Sequence, residues 1–339
     1  MRIFPTNKPV VFITMGDPAG IGPEVIIKTL FSADINKGAV FVIIGDRGTI
    51  EKAALKACVK DHRFNFIDES GEDILLKEDS INVLDPGPFL AVVEPGVPTD
   101  SGAAKALKCL DIAIDLIKPL SPGKAALVTA PVNKERIAGI SPGFIGHTEY
   151  LAEAYRADSV TMVMVGQKFS VIPLTRHIPL KEVVSGIKEE LIIKTLQQIA
   201  DKRFILSEKK EAKIGVCALN PHCGEGGEIG REEIDIIAPA VKKAKEFYPD
   251  IVGPISGDVV FYKALKGEID IILAMYHDQA LAPFKMIEFE SGVNLTLGLK
   301  HIRTSPDHGT AFDIAGKDIA SFESMQQAIN LALRAINSR

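Results

Sequence analysis

Three of the seven histidines recur at comparable places along the chain. His177 follows the run SVIPLT, His222 follows KIGVCAL and His277 follows IDIILAM, each two or three residues past a strand-like stretch. Loops at the carboxyl ends of strands in open α/β sheets converge on one edge, where ligands bind. Three imidazoles brought there could hold a divalent cation such as zinc and leave a position open for substrate. Asp278, beside His277, is a candidate further ligand or outer partner. A lone histidine at a strand end is ordinarily a hydrogen-bonded loop residue, so it is the threefold recurrence that points to a cation. His62, in a polar segment, is expected simply to be solvated.

Other segments could hold anions. GFIGHTEYLAEAY (143–155) sets His147 and Thr148 at the start of a helical pattern. Free N–H groups and the positive dipole end there favour phosphate, although Thr148 could equally be no more than a cap. NPHCGEGGEIGREE (220–233) lacks the GxxxxGK[ST] spacing, so its glycines are read as tight turns around His222. MGDPAGIGPE (15–24) looks like a nucleotide loop after a first strand, but GxGxxG is missing and an ordinary dinucleotide site is not supported. Lys285, Asn294 and Arg303 lie in a stretch that reads as loop-rich, and singly each resembles a solvated surface group.

The elements that must position these residues alternate. VVFIT (10–14) precedes a helical pattern at 23–30, AVFVIIG (39–45) precedes one at 49–59, and AALVTAP (125–131) continues the series. KIGVCAL (213–219) leads into a helix expected over 232–247, and a last helix is expected over 321–336. Such alternation predicts an α/β fold with a largely parallel sheet. SVTMVMV (159–165) and FSVIPLT (169–175), three residues apart, predict an antiparallel hairpin and hence a mixed sheet. The Pro- and Gly-rich stretch 85–100 is expected to be a long loop between lobes.

Composition limits the function classes. The chain has 339 residues, 46% apolar and 24% charged, enough for a core divided between two lobes. A net charge of −5 argues against a nucleic-acid partner, while leaving room for a locally basic site. No apolar run of membrane-spanning length occurs, and the N-terminal apolar stretch reads as a strand rather than a signal peptide. Cys58, Cys109, Cys217 and Cys223 form no CxxC pair, so reduced thiols and a cytoplasmic location are expected.

Taken in order, TMGDPAGIGPE, TAPVNKE, GHTEYLAE, TRHIPL, LNPHCGEGG, MYHDQALAPFK, GVNLTLGL and IRTSPDHGTAFDIAGK run nearly end to end through the chain. With them it resembles the 4-hydroxythreonine-4-phosphate dehydrogenase family of vitamin B6 biosynthesis. GIGPE and HGTAFDIAGK also look like the isocitrate and isopropylmalate dehydrogenase superfamily. The resemblance implies two α/β lobes with a mixed, largely parallel sheet and the active site in the cleft between them. The boundaries are expected at 1–125 with 304–339 for the first lobe and 126–303 for the second, which carries the metal ligands and dimer contacts. It implies one divalent cation per subunit (zinc, magnesium or cobalt) on His177, His222 and His277, the same three that their placement singles out. Substrate contacts carry over to His147, Thr148, Lys285, Asn294 and Arg303. NAD is implied as cofactor, its adenosine part against the loop His308–Lys317, with His308, Gly309, Thr310 and Asp313 as binding residues. A homodimer sharing its active site between subunits is implied as well.

The implied reaction oxidises the C3 hydroxyl of 4-phosphohydroxy-L-threonine, passing hydride to NAD. The β-keto acid formed decarboxylates to 3-amino-2-oxopropyl phosphate. Lys285 and Arg303 would clamp the phosphate and carboxylate. Asp258, Asp278 and a cation-bound hydroxide are all chemically capable of acting as base, and Lys285, Asp278 and Asp258 are the expected catalytic residues. Two positions depart from the family pattern. Arg176 stands where the family often has Thr, and GPISGDV (253–259) replaces GPLPADT, with Asp258 kept and Val259 in place of Thr. These bear on substrate identity, and a sister group oxidising 4-phospho-D-threonate or 4-phospho-D-erythronate is the alternative. A metal-dependent hydrolase and a non-catalytic binder of phosphorylated metabolites are the readings from other classes.

Overall fold

The structure, a computed structural model, describes residues 2–3, 6–32, 38–59, 63–68, 73–87 and 93–338. His62 lies outside the described residues. The chain divides into two compact units, residues 1–160 with 293–339, and residues 161–292.

The first unit opens with β1 (Arg2–Ile3), β2 (Val10–Thr14), α1 (Gly22–Leu30), β3 (Val40–Ile44) and α2 (Arg47–Lys56). It continues through β4 (Phe64–Asp68), β5 (Asp73–Ile74), β6 (Ile81–Asp85), α3 (Asp100–Ile117), β7 (Ala125–Thr129), α4 (Lys134–Ile140) and α5 (His147–Tyr155). The second unit holds β8 (Thr161–Val165), β9 (Ser170–Pro173), α6 (Leu180–Gly186), α7 (Glu189–Leu206), β10 (Ile214–Cys217), α8 (Ala238–Ala244), β11 (Ile251–Ile255), α9 (Gly257–Leu265), β12 (Ile271–Ala274) and α10 (His277–Glu288). The chain then returns to the first unit with β13 (Val293–Leu297), β14 (Ile302–Pro306) and α11 (Glu323–Asn337).

In the first unit the strand order is β13-β14-β7-β2-β3-β6-β4. All neighbours are parallel except β13 and β14. β2 reads VVFIT and every residue is buried, as expected of a parallel strand covered on both faces. Val10, Phe12 and Leu127 pack in one core with Leu110, Ile114 and Ile117 of α3, and Leu151 of α5 joins them. That contact places residues 126–160 in the first unit, so the divisions fall at 160/161 and 292/293 rather than the expected 125/126 and 303/304. On the other face Thr304 of β14 donates to Ala328 of α11, whose apolar stripe runs through Met325, Ile329, Ala332 and Ile336. Side chains end the gaps between elements: Asp46, Thr99 and Asn133 cap α2, α3 and α4.

In the second unit the order is β11-β10-β12-β9-β8. β11, β10, β12 and β9 are parallel, and β8 and β9 form the expected antiparallel hairpin. Both units are thus α/β, with mostly parallel, mixed strand pairing. The helix expected over 232–247 is instead a π turn at Glu233–Ile237 followed by α8. The stretch after His277, expected to be loop-rich, is helix α10 and strands β13 and β14, so Lys285 is helical and Asn294 and Arg303 lie on strands. Their polar types hid regular structure, because tertiary partners such as Thr129 and Thr296 for Arg303 cannot be read locally. Within 85–100, the described residues 86–87 and 93–99 form neither helix nor strand, and 88–92 lie outside the described residues. No helix of the described residues is long and apolar enough to cross a membrane.

Candidate active site

The second unit delivers all three recurrent histidines from neighbouring strands. His177 follows β9, His277 opens α10 directly after β12, and His222 follows β10, and these strands lie side by side and parallel. β12 inserts between β9 and β10, so the loops after β10 and β12 leave from a point where strand order reverses, the place where open α/β sheets bind ligands. The rings of His177 and His277 stand 5.7 Å apart between centroids. His222 Nδ1 lies 2.7 Å from Glu225 Oε1, and His277 Nδ1 lies 2.7 Å from Asp278 Oδ1. A carboxylate on Nδ1 fixes the ring and directs the Nε2 lone pair outward, which is the arrangement metal-ligating imidazoles use. The donor chemistry therefore fits a divalent cation. Among the described residues, however, no three His, Cys, Asp or Glu side chains are gathered into one set that could hold a metal ion.

His222 lines a cavity of about 310 Å³ with Asn220, Ser256, Asp258 and Gln279. The Ser256 hydroxyl donates to Asp258 Oδ1 and holds that carboxyl below its usual range, with His222 adding a smaller effect in the same direction. Gln279 ties two strand ends together: its Nε2 donates to the Ala218 carbonyl at 2.8 Å and its Oε1 accepts from Met275 N at 2.7 Å. It was not anticipated from sequence, although it stands two residues after His277 in MYHDQALAPFK. Lys285 is half-buried on α10, eight residues beyond His277, which places it about 12 Å farther along the helix axis.

From His222 to Gly226 the backbone is left-handed throughout, with φ of 49°, 57°, 79°, 46° and 68°. Three of these residues, His222, Cys223 and Glu225, carry side chains, and each costs roughly 1–2 kcal/mol in this conformation. His177 is also left-handed, at φ 49°. Strain of this kind persists only where surrounding contacts fix it, and it collects at functional sites.

The first unit builds a different site. Arg303 on β14 is 4% exposed and donates to Thr129 through Nη2 (2.7 Å) and Nε (3.2 Å), and to Thr296 through Nη1 (3.2 Å). Burial pushes its guanidinium down to about 10, with only a partial offset from Glu149. His147, the first residue of α5, is also buried, and its imidazole is held well below the usual range by burial first, then by Arg303 and Lys134. It is therefore neutral at pH 7. Gly146 precedes it as the cap position without any side-chain cap bond, so Thr148 is inside the first turn and is not the cap. A Cβ on Gly146 would lie 3.6 Å from Lys134 Nζ and 3.2 Å from Glu149 Oε2, which places both charged groups beside the helix start.

Several buried polar atoms of the first unit have no partner among the described residues. They include Thr14 Oγ1, Asp17 Oδ2, His147 Nε2 and Asn294 Oδ1. Thr14 and Thr129 are register partners on β2 and β7, and Thr296 and Arg303 are partners on β13 and β14. Nine-tenths or more of buried polar groups are normally hydrogen-bonded, so each of these atoms keeps capacity for a polar ligand. Sequence had not indicated Thr129, Lys134 or Glu149, although each sits in or beside the motifs TAPVNKE and GHTEYLAE.

The loop after β14 carries His308, whose Nδ1 lies 3.0 Å from the Gly309 carbonyl and whose imidazole is lowered by burial. Its Nε2 is also buried without a partner among the described residues. Ile21 N donates to the Thr310 carbonyl at 3.0 Å, and a Cβ on Gly20 would lie 2.9 Å from that oxygen, so this loop packs closely on MGDPAGIGPE. Gly309 faces open space and Asp313 is exposed. A cavity of about 350 Å³ beside Gly316 is walled by Pro18, Pro23, Leu55 and Pro95, with Lys52 and Lys56 also on its lining. His301, by contrast, is a packed residue between the Tyr155 hydroxyl and the Leu120 carbonyl.

Comparison with known proteins gives consistent matches. Residues 37–332 match the family model "Pyridoxal phosphate biosynthetic protein PdxA". A 4-hydroxythreonine-4-phosphate dehydrogenase of Aquifex aeolicus is 42% identical over 321 residues, covering 94% of this chain and 96% of that one. An Oceanobacillus iheyensis protein named "Putative D-threonate 4-phosphate dehydrogenase" is 38% identical over 332 residues, covering 97% and 98%. Among solved structures, a 4-hydroxythreonine-4-phosphate dehydrogenase of Klebsiella pneumoniae superposes with a TM-score of 0.81 at 35% identity, covering 98% of this chain and 99% of that one.

Proposed function

The chain belongs to the pyridoxal phosphate biosynthetic protein PdxA family, and from that premise we propose that it is an NAD-dependent 4-hydroxythreonine-4-phosphate dehydrogenase. The observation that carries this reading is Arg303: a buried guanidinium whose hydrogen bonds among the described residues go to hydroxyls, beside a neutral histidine with an unused ring nitrogen, is a site built for an anionic substrate. In this proposal Arg303, Asn294, His147, Thr148 and Lys285 bind the phosphate and carboxylate of 4-phosphohydroxy-L-threonine. His177, His222 and His277 would hold the divalent cation, zinc, magnesium or cobalt, and His308, Gly309, Thr310 and Asp313 would contact NAD. When bound, the cation supplies Lewis-acid polarisation of the C3 alcohol and NAD supplies the hydride acceptor.

The chain's own groups do the rest. Asp258, kept ionised by Ser256, or Asp278, hydrogen-bonded to His277, takes the hydroxyl proton. Neutral His147 can donate to substrate oxygen through one ring nitrogen without adding charge. Oxidation at C3 places a carbonyl β to the carboxylate, and loss of carbon dioxide then gives 3-amino-2-oxopropyl phosphate. A cytoplasmic homodimer with a shared site completes the proposal.

A second reading, 4-phospho-D-threonate or 4-phospho-D-erythronate as substrate, is favoured by the full-length likeness to the Oceanobacillus protein and by Arg176 and Val259. These substrates carry a hydroxyl where 4-phosphohydroxythreonine carries an ammonium group. Parallel assays of NAD reduction with the amino and hydroxy substrates separate the two readings.

A further inference from the structure

The left-handed turn that carries His222 is fixed from outside itself. We propose that Glu233 is a positioning residue for His222, acting through the backbone of the turn and touching neither substrate nor cation. This rests on the reading of His222 as a cation ligand.

Glu233 is 3% exposed and stands in the π turn after the glycine-rich loop. Its Oε1 accepts from the backbone N–H groups of both Leu219 and Asn220 at 2.7 Å, and its Oε2 accepts from Asn220 Nδ2 at 2.9 Å. One carboxylate thus holds the two residues through which the chain leaves β10 and enters Pro221 and His222. It also shapes the far side of the turn. A Cβ on Gly224 would stand 2.9 Å from Glu233 Oε2 and 2.5 Å from the Gly230 carbonyl, so the turn seats directly against the carboxylate. Gly230 in turn leaves room for the Asn220 side chain, whose Nδ2 a Cβ would approach to 2.4 Å. Three non-glycine residues in left-handed conformation are costly, and beside the local His222–Glu225 contact the Glu233 carboxylate supplies a hold from outside the turn. A π turn, frequent at functional sites, opens at the clamping residue and runs on into α8.

Outer partners of metal ligands typically govern affinity by 10- to 100-fold. The test uses Co2+ as probe, titrated into metal-free protein and followed by its visible absorption, with thermal unfolding measured alongside. Glu233→Ala should weaken Co2+ binding about 10- to 100-fold and alter the absorption of the bound ion. Glu233→Gln keeps an oxygen able to accept from Leu219 N and Asn220 N, so it should recover most of that loss. A folded Glu233→Ala protein with wild-type Co2+ affinity and spectrum overturns the inference, even if its melting temperature falls. If Glu233→Ala does not fold, Glu233→Met takes its place, since it fills the same space but cannot accept from Leu219 N or Asn220 N, and a folded Glu233→Met protein with wild-type Co2+ affinity and spectrum overturns the inference. A wild-type chain that binds no Co2+ overturns the cation site itself, and this inference with it.

Discussion

Arg303 grips the hydroxyl of Thr129 through both Nη2 and Nε, at 2.7 and 3.2 Å, and no carboxylate of the described residues pairs with it. An unpaired buried charge weakens the fold that contains it. Replacing Arg303 with Met should therefore leave stability equal or greater, within about 2 kcal/mol, because giving up the hydrogen bonds to Thr129 and Thr296 offsets part of the relief. Substrate affinity should fall roughly ten- to a hundredfold for each charge-assisted hydrogen bond that the guanidinium made to the substrate, while the NAD dependence stays put. Thermal unfolding and substrate saturation curves on the same preparation read both effects. A large loss of stability with substrate affinity intact would assign Arg303 to the scaffold.

His147 gives the fold a defined pH dependence. Its folded-state imidazole lies below the ordinary histidine value of about 6.5, mainly through burial. As pH falls below about 6.5 the unfolded chain takes up the proton first, so stability declines from there down through the folded value. At the steepest point the contribution approaches about 1.4 kcal/mol per pH unit for one proton. His308 acts in the same direction, also through burial. Denaturant midpoints between pH 5 and 7.5 should show a shallower slope in His147→Gln than in the wild type. Equal slopes would mean that His147 already titrates normally in the folded chain.

Much of this arrangement was legible in the sequence. VVFIT and AALVT coincide with β2 and β7 because strands covered on both faces are continuously apolar. The three histidines were visible for the same reason, each lying just beyond such a run. Asn294 and Arg303 were not, since polar residues within the mostly buried strands β13 and β14 look locally like loop. Nor did NPHCGEGG disclose its left-handed path: its glycines permit tight turns, but the hold on His222 comes from Glu233, beyond the turn itself. The burial of Lys134's neighbour His147, and the unused polar atoms around it, are likewise tertiary facts.

The proposed cation gives a third prediction. Chelation should abolish oxidation of the alcohol while leaving NAD binding within about twofold, because the proposed NAD loop after β14 lies in the other unit from the histidines. Ala at His177, His222 or His277 should each lower the metal retained by purified protein. Full retention of both metal and activity in any one variant would remove that residue from the site.

The proposed sharing of the site between subunits predicts complementation. Mixing His222→Ala with Lys285→Ala protein should restore part of the lost turnover, if the ligand and the clamp of one site come from different subunits. Demonstrated subunit exchange without recovery would place His222 and Lys285 of each site in the same chain.

We propose that this chain oxidises a phosphorylated hydroxy-amino acid at its C3 alcohol with NAD. The most direct test is a paired steady-state assay of purified, metal-saturated protein with 4-phosphohydroxy-L-threonine and with 4-phospho-D-threonate, following NADH formation and release of carbon dioxide. NADH and carbon dioxide should appear in equal amounts, with kcat/KM higher for 4-phosphohydroxy-L-threonine by at least about tenfold, roughly the 1.4 kcal/mol expected of one well-placed polar contact. Preference for 4-phospho-D-threonate by the same margin, or no NADH from either substrate, would contradict it.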